Sequence, residues 1–144
     1  MDGRAPGPAA AARVLLRWAL AALMLVAGIG HLVATDEFLG QTPTWLPERS
    51  LIVVVSGLVE IGFAFALIFL PKLRRQVGWA LAAFFVLVFP GNLYQAVAGT
   101  SSFALDTPVE RWIRLLFQPV LVVWALWATH AWPHGARETD DPPT

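Results

Sequence analysis

Four stretches of the chain run for about twenty residues with almost no polar interruption: Val14 to Ala34, Ser50 to Leu70, Val77 to Ala98 and Trp112 to Trp132. A helix rises about 1.5 Å per residue, so about 20 apolar residues cross the roughly 30 Å hydrocarbon core of a bilayer. Backbone groups in lipid have no water to bond, which restricts spanning structures to helices and closed barrels. The runs are continuous and lack the alternation of barrel strands. The pattern predicts an all-α fold, a four-helix transmembrane bundle embedded in a lipid bilayer.

The second span carries one carboxylate, Glu60, and still favours insertion. Its 14 Leu, Ile, Val and Phe residues between Leu51 and Leu70 contribute roughly −6 kcal/mol against about +3 kcal/mol for a central Glu. The fourth span is weaker, with nine such residues opposed by Arg114, Gln118, Pro119 and His130. Trp112, Trp124, Trp127 and Trp132 suit the interfacial ends of that helix. A cleaved signal peptide is the competing reading of the first span, but Leu32-Val33-Ala34 puts Leu where a small residue is required. Residues 1–13 read as a flexible Ala/Pro/Gly-rich arm, and residues 133–144 as a disordered polar tail.

Composition agrees with the spans. The 144 residues are 57% apolar and 14% charged, where a soluble domain carries about 25% charged residues. Ten Lys and Arg balance ten Asp and Glu, which leaves no basic surface for nucleic acid. The absence of cysteine excludes disulfides and thiolate chemistry. The charges are nevertheless sorted. Arg4 and Arg13 precede the first span, Arg17 stands in its first turn, and Lys72, Arg74 and Arg75 lie between the second and third. The other two loops carry Asp36, Glu37, Glu48, Asp106 and Glu110, with only Arg49 and Arg111 as bases. The positive-inside rule then puts both termini in the cytoplasm.

Ionisable and amide side chains inside the spans are the candidate chemistry. Glu60 stands near the middle of the second span, about 15 Å below the outer boundary, with Ser56 one turn above it at about 9 Å. It reads either as a proton-binding or ligand-binding carboxylate or as a hydrogen-bonding tie between helices. His31, on a face shared with Ala27 and Gly28, is a proton relay or ligand, or else an interfacial helix cap. Pro90 frees a carbonyl one turn earlier in the third span, and Asn92 or Gln95 is placed to satisfy it. Arg114 and Gln118 share a face of the fourth span, and by charge type Arg114 is the first counter-ion candidate for Glu60, with His31 second. All these groups fall in the outer half of the membrane. They predict an outward-facing polar cavity floored by Glu60, with Gln41 and Trp45 in a proline-stiffened lid or rim.

No metal set is expected. His130 and His134 lie at the opposite end from His31, so paired histidine ligation of haem is excluded by distance. No nucleotide loop or hydrolase elbow is present in the polar segments, and no catalytic residue is assignable.

Gly28-Ile29-Gly30-His31, Gln41 through Trp45-Leu46-Pro47, Ser56-Gly57 with Glu60, Val88-Phe89-Pro90 with Asn92, and Arg114 with Gln118 together resemble the pattern of DoxX-like membrane proteins. The likeness covers about residues 14–130 and rests on the order and spacing of all five motifs. It implies a small bacterial inner-membrane protein, a subunit or accessory of a membrane oxidoreductase rather than an enzyme by itself, with quinone as the possible cofactor. A small proton-coupled carrier or channel, acting as a homo-oligomer, is the alternative reading, and a purely structural membrane module is the third.

Overall fold

A computed structural model describes residues 7–102 and 107–132. They form helices and turns with no strand among them. Among the described residues, four helices are long and apolar enough to cross a membrane: α1 (Pro8–Val33), α3 (Arg49–Phe69), α4 (Arg74–Ala98) and α5 (Pro108–Ala128). A short helix, α2 (Thr35–Leu39), follows α1, and a single 3-10 turn, Pro71–Leu73, leads into α4.

The expected arm through residue 13 is corrected by the start of α1. Pro8 occupies the first turn, where its fixed φ suits a helix and its missing N–H costs nothing. The alanines that follow are the strongest helix formers. Residues 1–6 and the tail at 133–144 lie outside the described residues, as do residues 103–106, which include Asp106. The last span also begins earlier than Trp112. Thr107 Oγ1 accepts from the Glu110 N–H while the Glu110 carboxylate accepts from the Thr107 N–H, with Pro108 in the first turn. This reciprocal cap fixes the start of α5. The helix ends at Ala128, and the Leu126 carbonyl accepts from both the Ala131 and Trp132 N–H groups as the chain turns back.

The bundle is two antiparallel pairs, α1 with α3 and α4 with α5, joined by thinner α1–α5 and α3–α4 contacts. Near the 3-10 turn all four helices close on one apolar core: Leu20, Ala21 and Met24 from α1, Ala64 and Leu67 from α3, Val77, Leu81 and Phe85 from α4, and Ala125 from α5. At the α2 end the pairs stand apart. Large apolar side chains such as Val26, Phe65, Leu87 and Leu116 face outward and are more than half exposed, a surface that lipid covers and water does not. The chain is a multi-pass membrane protein.

Candidate functional site

The crossing of α1 and α3 builds the centre of the site. A Cβ on Gly28 would lie 2.6 Å from the Gly57 carbonyl oxygen, and one on Gly57 would lie 2.6 Å from His31 Cβ. Only glycine lets the two backbones approach so closely. Side chains lean toward the N-terminus of their own helix. In this antiparallel pair, His31 therefore leans toward the bundle centre and Glu60 leans back toward α2. They meet with His31 Nδ1 3.0 Å from Glu60 Oε2.

His31 is held on two further sides. Its Nδ1 lies 2.8 Å from the Ala27 carbonyl, which can only accept, so Nδ1 carries the proton. The ring stacks on Phe38 of α2 at 3.7 Å between centroids and 24° between planes. Because Nδ1–H is directed at Ala27, Glu60 Oε2 receives no hydrogen bond although it is buried. Glu60 is thus an intramembrane carboxylate in contact with His31, and it has an unmet acceptor.

Arg114 makes no direct contact with Glu60, although the carboxylate lies close enough to act on its charge. Its Nη2 donates to Gln41 Oε1 at 2.8 Å. Gln41 Nε2 donates to Ser102 Oγ at 3.0 Å, and Ser102 donates to the Glu37 carbonyl at 2.6 Å. This relay fastens the segment after α1 to the segment after α4. Gln41, entering from the rim, intercepts the guanidinium before it reaches the depth of Glu60.

A second relay runs along α4 and α5. Gln118 Nε2 donates to the Phe85 carbonyl at 2.7 Å, and Gln118 Oε1 accepts from Asn92 Nδ2 at 2.9 Å. The terminal carbonyl sets the direction of both amides. Pro90 cannot donate to the Val86 carbonyl, and the loosened turn around it is where Gln118 enters. Gln118 bonds the Phe85 carbonyl, the neighbour of the one Pro90 frees, and Asn92 donates to Gln118 rather than to a carbonyl of α4.

Around these groups lies a cavity of about 490 Å³ at the α2 end of the bundle. His31, Ser56, Glu60, Asn92, Arg114 and Gln118 all line it, with Gln41 and Trp45 at the rim. Its remaining wall is apolar, including Met24, Phe84, Phe85 and Leu121. Trp45 is 76% exposed, as suits a residue at the membrane interface. Gln95 is apart from the others: it is buried, its Nε2 has no hydrogen-bond partner, and it does not line the cavity. Phe38 and Ser102 have no part in the sequence reading. Phe38 belongs to α2, across the break at Ala34 from His31, so no helical spacing in the sequence signals their stacking. Ser102 has no signal either, since its partners lie about sixty residues away in sequence.

The profile of a family described as a domain of unknown function (DUF8561) matches residues 20–129. The chain belongs to this family. The DUF8561 match contains every residue that lines the cavity. No curated protein matches the chain, and no solved structure matches it.

Proposed function

We propose that this DUF8561 protein binds a small lipophilic molecule with a polar head group in the cavity between its helix pairs. On this reading it serves as a subunit or accessory of a bacterial inner-membrane oxidoreductase system. The observation that carries the reading is Glu60 Oε2, buried without a hydrogen bond and facing a largely apolar cavity of about 490 Å³. Small-molecule sites span roughly 300–1,000 Å³ and combine apolar walls with a few polar groups.

A quinone-class head group fits the donor set. Arg114 is a hydrogen-bond donor, Glu60 Oε2 is an open acceptor, and Phe84 and Phe85 offer flat apolar surface. Such a ring needs partners for oxygen atoms that accept when oxidised and donate when reduced. The resemblance to DoxX-like proteins supports the oxidoreductase setting. With both termini in the cytoplasm, the basic ends of α1 and α4 satisfy the positive-inside rule and the cavity opens outward.

A carrier role has less support. The cavity ends above the apolar core formed by all four helices, and a pathway through one chain would have to cross that packed layer.

The test is extraction of the full chain from native membranes into lipid-preserving discs, followed by mass spectrometry. Wild-type protein should retain a ring-bearing lipophilic molecule and copurify with a redox protein. Glu60→Gln should lose the small molecule while keeping its thermal unfolding midpoint. Fully folded wild-type protein that carries neither would overturn the reading.

A further inference from the structure

The end of the bundle opposite the cavity holds a second grouping of charge. Arg13 and Arg17 come from α1 and Arg74 from the start of α4, while His130 follows α5. Arg13 donates to His130 Nδ1 and its guanidinium lies 4.9 Å from the ring centre of Trp127. Arg17 and Arg74 are close enough to repel one another. Partial desolvation, then Arg13, Arg74 and Arg17, together lower the proton affinity of His130. The Nε atoms of Arg13 and Arg74 are buried without a hydrogen-bond partner. Among the described residues, no carboxylate forms an ion pair with these three arginines.

Like charges gathered at the end of a membrane helix are costly unless an anion compensates them. An apolar groove of about 440 Å³ begins beside the cluster and runs along the α1–α5 seam. Leu16, Pro119, Val120, Val123, Trp124 and Trp127 line it, and Trp124 Nε1 donates to the Leu16 carbonyl at 3.0 Å, which fixes its wall. Trp127 belongs to both features, so charge and groove are continuous.

We infer that this is a binding site for an anionic phospholipid, with the phosphate on Arg13, Arg17 and Arg74 and one acyl chain in the α1–α5 groove. A zwitterionic lipid would bring its ammonium group back against the arginines. A soluble anion would leave the groove without use. The site is separate from the cavity at the α2 end and stands whether or not that cavity binds a quinone-like molecule.

Native mass spectrometry of the full chain, given equal phosphatidylglycerol and phosphatidylcholine of the same chain length, tests the inference. One surface arginine contributes about 1 kcal/mol toward an anionic lipid, so a preference of about tenfold or more for phosphatidylglycerol is expected. Combined substitution R13Q, R17Q and R74Q should abolish the preference. Val123→Trp leaves the arginines in place on a lipid-facing position and fills the groove. It should weaken long-chain phosphatidylglycerol while sparing a short-chain form. Equal retention of both lipids by wild type, or a preference that survives the arginine substitutions, would overturn the proposal. So would binding of inorganic phosphate with no preference between the lipids. A preference that emerges only when Glu138, Asp140 and Asp141 are changed to amides would also overturn it, because the chain's own acids would then be the occupant.

Discussion

The contact between His31 and Glu60 joins the two helices of one pair and faces the cavity, and its two members are not equivalent. Glu60 has no hydrogen bond to lose at Oε2, so Glu60→Gln keeps the shape and removes a buried charge. Removing one member of a buried pair is costly when it strands a charge, and an imidazole left beside a glutamine can stay neutral. Glu60→Gln should therefore unfold within about 1 kcal/mol of wild type. His31→Ala removes the close partner of a buried carboxylate and the ring stacked on Phe38, and should cost about 3 kcal/mol or more. Reversible unfolding in mixed micelles measures both, and equal losses for the two variants would contradict this asymmetry. Charge type alone favours Arg114 as the partner of Glu60. The side-chain lean of two antiparallel helices decides for His31, and that lean depends on a glycine crossing whose depth is not written in either segment separately.

Among the helices, the α1–α3 crossing and the start of α5 have the most specific sequence causes. A side chain at Gly57 meets α1 backbone and His31, whereas one at Gly62 meets nothing within 4 Å. Gly57→Leu should cost about 1–3 kcal/mol by forcing the helices apart and should also separate His31 from Glu60. Gly62→Ala should be neutral or stabilising by up to about 1 kcal/mol. The two substitutions lie in the same helix, so their unfolding midpoints in the same detergent form an internal comparison. At α5, Thr107→Ala removes a cap and should cost about 1 kcal/mol, read from the same unfolding curves. The long apolar runs were legible because lipid leaves no alternative to a hydrogen-bonded helix. The ends were less so. Trp112 and Trp132 bracket the apolar stretch, yet Thr107 and Glu110 set where the helix begins, a pairing of T-x-x-E that stood in the sequence unread. The extra turns of α1 were obscured by small residues that look like linker and behave as helix formers once proline starts the turn.

Across the molecule, polarity is divided between two ends by an apolar core. The α2 end holds the cavity and two amide relays, and the opposite end holds the arginine cluster. Most of the candidate side chains were legible because each is an expense inside a membrane, and all but Gln95 line one cavity. The relay through Ser102 was not legible, since it joins loops distant in sequence. The absence of native cysteine makes orientation directly measurable: Thr44→Cys should react with a membrane-impermeant maleimide from outside intact cells, and Lys72→Cys only after lysis. The central claim is that the cavity is a binding site centred on Glu60. Its most direct test is equilibrium binding of a short-chain quinone to the full chain in nanodiscs, comparing wild type, Gly62→Ala and Glu60→Gln. Loss of a charged hydrogen-bond partner is worth about 1.5–3 kcal/mol, so saturable binding by the first two and a loss of about tenfold or more in Glu60→Gln is the expected result. Equal binding by all three, or uptake that rises with membrane volume and never saturates, would contradict it.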